Sequence, residues 1–309
     1  MDDGSTDGTD AYLAERYPEE ITVIRNHQSL GPAFARNQGI NAARSEFLYF
    51  LDSDSLLPFP DILSKMVRIM DEHPDIGMLG GIGQPGANGV LESAYGKKVT
   101  FDGRSYPVFI HRNDPGFNGH KIADCDYVET CNCFVRTEAV RRIGGFNPYY
   151  VYMSEDKELG TRLKTINYRC CFGLQLACVH AFDHATQFDR PYTYIRAKMH
   201  YVIRNRGLHY LFLTPLLDLY FFFFHYPFIF VMKRFFPSLR HHYIVHNRVS
   251  PNARPPQKRW LLLAPFFFAK AYLANVRHLP LIIKHLDTNF LLPLHMEKFR
   301  KYCGKLRHD

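Results

Sequence analysis

The sequence predicts an α/β fold on a mostly parallel sheet, for three reasons. Helical and extended patterns alternate through the first 180 residues, carboxylates stand just beyond apolar strands, and glycines punctuate the turns between them. The opening DDGSTDGT at 2–9 is a turn, followed by a helical pattern from about Asp10 with Ala11, Leu13, Ala14 and Tyr17 on its apolar side. ITVIRN at 21–26 is β-branched and predicts a strand, and GPAFARNQGINAA at 31–43 predicts a helix. EFLYFLDSD at 46–54 predicts a buried strand ending in aspartates. A helix at about 60–72 and an apolar strand at 76–83 come next, then Gly/Asn/Pro-rich loops over 84–120. A strand from Tyr127 to about Val135 leads to a short helix from Thr137 that should stop at Gly144-Gly145. SEDKELGTRLKTI at 154–166 has Ser154 as its expected N-cap and puts Glu155 and Asp156 in a helical first turn; CCFGLQLACVH at 170–180 predicts a last strand.

Composition narrows the function classes. With 46% hydrophobic, 22% charged and 15% aromatic residues, the chain can build a large core, which excludes a disordered tail or a coiled coil. Seven cysteines without CxxC spacing argue against a zinc ribbon or disulfide scaffold and for a reducing compartment. Met1 leads straight into acidic and glycine-rich residues, not a signal peptide. The net charge of +8 divides unevenly: residues 1–189 carry a net −8 and residues 190–309 a net +16. Carboxylate chemistry therefore belongs to the first part, and an anionic partner to the second.

Ligands bind beyond the carboxyl ends of parallel strands, so Asp2, Asp3, Asp52 and Asp54 are expected to converge on one cleft. Gathered carboxylates repel unless a cation holds them, and Mg²⁺ or Mn²⁺ bridging to a phosphate-bearing substrate meets that need. An EF-hand reading of Asp3, Ser5, Asp7 and Gly8 fails because loop position 12 is Ala14. Cys131 and Cys133, like Cys170 and Cys171, are read as packing residues, and of the histidines only His180 and His184 fall near the acidic cluster.

Six segments in order, DDGSTDGT, GPAFARNQGINAA, FLDSDS at 50–55, RRIGGFNPYY at 141–150, SEDKELGTRL at 154–163 and CVH at 178–180, resemble inverting family-two glycosyltransferases of the GT-A fold. The resemblance covers about residues 1–205. It implies a Rossmann-like nucleotide-diphospho-sugar transferase fold that lacks its first strand, helix and second strand, so the chain is expected to be N-terminally truncated. It also implies that Asp2, Asp3, Arg36, Asn37 and Asp52 bind the nucleotide-sugar donor and that Asp54 and His180 hold Mn²⁺ or Mg²⁺. Asp156 is similar to the general base; Glu155 holds its neighbour or a loop, and on sequence alone the two could exchange roles. A solvated salt bridge from this pair to Arg162 is the structural alternative. Asn147 stands where the family has Asp, and Asn167 where it has Gly. The competing reading is a truncated, non-catalytic member serving as a membrane or interaction module.

The expected division is a transferase domain over 1–207 and a basic, aromatic helical tail over 208–309. The run at 208–232 is long enough to span a bilayer but is broken by Pro215, Asp218, His225 and Pro227. In 260–286, Lys270, Arg277 and Lys284 are spaced seven apart among apolar residues, as in a basic amphipathic helix on an anionic membrane surface. PQKRW at 256–260 has one residue too few for the QxxRW signature of processive synthases, and the tail's charge comes without a nucleic-acid-binding motif. The expectation is a cytoplasmic enzyme, peripheral at the inner face of a membrane, that takes a saccharide or lipid-linked acceptor in surface polysaccharide or glycolipid synthesis.

Overall fold

The computed structural model describes residues 1–86, 88–115, 117, 121–150, 153–180, 191–220, 258–284 and 291. His184, Cys303, residues 221–232 of the aromatic run, 256–257 and 285–286 lie outside them. The described residues form two compact units. The first holds residues 1–96, 109–180 and Leu291, and the second holds 97–108 together with helices between 191 and 284.

The first unit is α/β. Its elements are α1 (Thr9–Arg16), α2 (Pro32–Ala42), β1 (Phe47–Leu51), β2 (Ser55–Leu56), α3 (Ile62–Glu72), β3 (Ile76–Gly80) and β4 (Ile82–Pro85). Then come β5 (Leu91–Val99) and β6 (Ser105–His111), whose hairpin end enters the second unit, β7 (Ile122–Cys125), β8 (Asn132–Arg136), α4 (Thr137–Arg142), α5 (Glu155–Thr165), β9 (Arg169–Gly173) and β10 (Val179–His180). The main sheet has the order β1-β8-β3-β9-β7. β3 and β9 pair in parallel, while β8 runs antiparallel to both β1 and β3, and β7 antiparallel to β9. The expected mostly parallel sheet is therefore mixed: β1, β3 and β9 share one direction, but β8 is inserted between β1 and β3 the other way.

The core lies where α3 covers this sheet. Ile62, Met66, Ile69 and Met70 fall on one helical face and pack on Ile76, Leu79, Phe134, Cys171 and Leu176. Pro74 disfavours helical backbone at His73, the C-cap. Asn132, fully buried, donates its Nδ2 to the carbonyls of Gly81 (2.6 Å) and Leu176 (2.8 Å) and accepts from the Tyr49 hydroxyl (2.6 Å), tying the start of β8 to β1, to the β3–β4 break and to the 3₁₀ turn.

Several expected elements differ. Residues 21–26 form only one bridge, Arg25 beside Asp2, because a single neighbouring residue offers two backbone bonds and no ladder. β1 is half-buried, not buried, because it lies at the edge of its sheet. The strand at 76–83 breaks at Gly81 (φ 131°) into β3 and β4, and the loops at 84–120 contain β5 and β6, which form a three-stranded sheet with β4. The strand at 127–135 begins only at Asn132, and 170–180 is β9, a 3₁₀ turn at Leu174–Leu176 and β10. Gly144 and Gly145 end α4 with φ near +80°, and the Gly145 N–H bonds to the Val140 carbonyl, as the glycine pair predicted. Asn167 also has positive φ (68°), which Asn tolerates in place of Gly.

In the second unit, α6 (Pro191–Arg206) packs on α8 (Lys258–Arg277) through Ile195, Met199 and Ala271. Ile203 of α6 meets Leu211 of α7 (Tyr210–Tyr220) and Ile282 of α9 (Leu279–Lys284). This grouping puts α6 with the later helices, where the sequence division at 207 put it with the transferase part. Asp218, one of the breaks in the apolar run, is buried and paired with Lys198. Among the described residues, no helix is long and apolar enough to cross a membrane.

A Cβ at Gly80 would lie 2.1 Å from the Asn132 carbonyl oxygen. Gly80→Ala is therefore expected to lose about 1–3 kcal/mol, read as a lower urea midpoint at unchanged m-value.

Candidate active site

The candidate site begins at the turn beyond β1. The Ser55 N–H bonds to the Asp52 carbonyl at 3.1 Å, closing a tight turn that projects Asp52 and Asp54 from the strand end. β10 pairs antiparallel with β2, setting His180 directly opposite Ser55. His180 Nε2 consequently lies 3.0 Å from Asp54 Oδ1 and 4.0 Å from Asp52 Oδ2. One ligand atom from each of the three residues lies within 4.8 Å of the others. Two carboxylates and an imidazole form a donor set suited to Mn²⁺, with Mg²⁺ leaning more on the oxygens.

Arg36, on α2, joins this group to α5. Its Nη2 contacts Asp52 Oδ1 at 3.2 Å and its Nη1 contacts Glu155 Oε1 at 2.9 Å, with the guanidinium 5.7 Å from the Phe146 ring centroid. Burial alone would lower the Arg36 pKa, but the charges of Glu155 and Asp52 outweigh it and hold the group above its ordinary value. Asp156, next to Glu155, is pushed up from 3.8 to about 8, first by burial and then by the like charges of Glu155 and Glu129. The adjacent carboxylates thus differ in circumstance: Glu155 is bound into an ion pair, while Asp156 keeps a raised proton affinity suited to accepting a proton. Ser154 does not cap α5 with its side chain. It sits in the left-handed region (φ 74°), and its carbonyl accepts the Glu158 N–H. Arg162 is held by Glu158 at 2.7 Å and by the carbonyls of Ile143 and Gly145, not by Glu155 or Asp156.

Three expected donor-binding residues have other partners. Asp3 accepts from Asn26 Nδ2, Ser29 Oγ and the N–H groups of Leu30 and Gly31, all at 2.8–3.0 Å. It therefore shapes the loop that starts α2 and aims Arg36, its carboxylate being saturated by protein donors. Asp2 accepts the Ser5 N–H at 2.8 Å and pairs with Arg25 at 3.2 Å, and neither aspartate belongs to the Asp52–Asp54–His180 group. Asn37 is buried, with both ends of its amide spent on the Phe146 backbone at 2.8 Å. It fixes the loop after α4, whose Ile143 and Gly145 carbonyls are held by Arg162. Asn147, where Asp was expected, accepts the Tyr149 N–H at 3.0 Å, an acceptor role either residue fills.

Glu129 and Asn132 were not singled out from the sequence. Their signal is slight: a carboxylate and an amide in the largely apolar stretch YVETCNCF. Six of the cysteines fall in the described residues, and all six are buried and unbridged, as read from the sequence.

Residues 1–126 match the family model Glycosyl transferase family 2. A succinoglycan biosynthesis protein, ExoO, of Rhizobium meliloti is 38% identical over 71 residues, 23% of this chain and 20% of its own length. A putative glycosyltransferase, EpsH, of Bacillus subtilis is 38% identical over 80 residues, 25% of this chain and 22% of its own. These alignments thus span about a fifth of the relatives' lengths. A mannosyltransferase of Pyrobaculum calidifontis, solved in complex with GDP-Man and Mn²⁺, superposes with a TM-score of 0.49 at 16% identity, covering 89% of this chain and 76% of that one.

A carboxyl whose folded pKa is raised binds its proton more tightly in the native state, so it costs stability as pH rises from about 4 to about 8. Asp156→Asn is expected to melt higher than the parent, by on the order of 2–4 °C at pH 8 in EDTA, with the gap closing towards pH 5. Differential scanning calorimetry across that range checks it.

Proposed function

We propose that the chain is a metal-dependent, inverting glycosyltransferase that moves a sugar from a nucleotide-sugar donor to a hydroxyl acceptor. The observation that carries this reading is the Arg36 bridge, which links the Asp52–Asp54–His180 group to the α5 start bearing Asp156. Asp54 and His180, with Asp52 beside them, would hold Mn²⁺ or Mg²⁺. The ion supplies neutralisation of charge on the departing diphosphate.

The chain's own residues do the rest. Asp156 accepts the proton of the acceptor hydroxyl as that oxygen bonds to the anomeric carbon, and the bond from that carbon to the diphosphate breaks with its electron pair. A single displacement of this kind inverts the anomeric centre. Glu155, held by Arg36, acts with Glu129 to keep Asp156's proton affinity up. Asp2 and Asp3 act on the donor through the loop before α2, and Asn37 through the Phe146 loop, so all three are positioning residues.

The product class we propose is surface polysaccharide or glycolipid, which the naming of ExoO for succinoglycan biosynthesis supports by analogy. The second unit is proposed to dock on the anionic inner face of a membrane. Phe212, Leu216 and Tyr220 lie four apart on α7, 70%, 66% and 54% exposed, within a basic part of net charge +16.

With a nucleotide-sugar panel and Mn²⁺, diphosphate release is expected from the parent and should fall at least a hundredfold in Asp54→Ala and in Asp156→Asn. Release that survives both substitutions sinks the reading. Activity should also decline as pH drops below about 8, because protonated Asp156 cannot act as a base. For the tail, Phe212→Ser/Leu216→Ser is expected to weaken retention on phosphatidylglycerol vesicles at least tenfold in a flotation assay, without loss of helical circular dichroism.

A further inference from the structure

The β4-β5-β6 sheet carries a line of rings that the reaction described above does not use. Ala94 and Ile110 turn inward to the core, so strand alternation turns Tyr95, Phe109 and His111 to the opposite face. On that face the Tyr95 and Phe109 ring centroids are 5.5 Å apart, and Phe109 and His111 stack at 5.6 Å with planes 23° apart. The line runs from half-buried Tyr95 and Phe109 to exposed His111, whose N–H is pinned by Asp114 Oδ2 at 2.8 Å. Beside Tyr95, the buried Ser93 donates its hydroxyl to Gln84 Oε1 at 3.2 Å.

The inner end of the line meets the candidate base. The Tyr95 hydroxyl hydrogen-bonds the Glu129 carboxylate, and Glu129 is close enough to Asp156 for its charge to act there. A pyranose presents an apolar face of C–H groups and a rim of hydroxyls. Half-buried rings that run from the Glu129 carboxylate to the exposed His111 imidazole match both.

We propose that Tyr95, Phe109 and His111 form the acceptor subsite: a saccharide stacks along the three rings, with its terminal hydroxyls directed to Glu129 and the reacting one to Asp156. This rests on the transferase reading for the base, but the strip's affinity for sugar can be tested without turnover. Glu129 is a substrate-binding residue in this arrangement, holding Tyr95 and a hydroxyl next to the reacting one.

The test is saturation-transfer NMR on the full chain with glucose-, galactose- and N-acetylglucosamine-terminated oligosaccharides. At least one should bind the parent, and Phe109→Leu and His111→Ala should each weaken it about three- to tenfold. Phe109→Tyr, which keeps a ring, should restore binding, and Tyr12→Ala, on exposed α1, should leave it unchanged. The subsite is overturned if no oligosaccharide binds, if binding is undiminished in both variants, or if only a polyprenyl phosphate binds. Mn²⁺-dependent breakdown of donor by the parent chain, measured separately, decides the transferase reading; sugar binding without it keeps the subsite and discards the reaction, and the converse discards the subsite alone.

Discussion

A single guanidinium holds the site together. Arg36 lies largely buried between Asp52 and Glu155, at 3.2 and 2.9 Å, and its charge lets two carboxylates from distant parts of the sequence face each other. Removing Arg36 would strand the buried Glu155 charge, whereas Asp52, 40% exposed, would keep contact with water. The neighbouring residue on α2 serves the same end. Asn37 fastens the Phe146 backbone, and Phe146 in turn offers its ring to Arg36 and its edge to Phe50.

The acidic residues come in adjacent or near-adjacent pairs, and in each pair the two members have different work. Asp2 binds its own turn and Arg25, while Asp3 gathers four donors from residues 26–31. Asp52 faces Arg36, while Asp54 faces His180. Glu155 is paired with Arg36, while Asp156 is buried beside the like charges of Glu155 and Glu129. Residue type is the same throughout, so the count and sign of neighbours set each carboxylate's chemistry.

Local signals served best where the chain reads itself. The stripe of α3, the paired glycines after α4 and the helical first turn at Glu155 and Asp156 depend on neighbours within four residues, and all appear where their spacing puts them. Elements that need a distant partner were less legible. Residues 21–26 have strand composition but only Asp2 alongside, and β5 and β6 lie in a stretch whose glycines and prolines suggest loops until pairing with β4 is seen. Asn132 carries no local sign of its role, yet three hydrogen bonds make it a clasp.

The sequence alone determined the α/β class, the acidic residues at the ends of strands, and the split between an acidic first part and a basic second part, because periodicity and charge are properties of the chain itself. It also brought Asp54 and His180 forward as partners through their motif company. Tertiary structure decided which carboxylates meet which cations, that Asp3 and Asn37 turn inward to shape loops, and that β8 runs against its neighbours. Those outcomes depend on contacts between residues up to 119 positions apart, as from Arg36 to Glu155, and no local pattern encodes them.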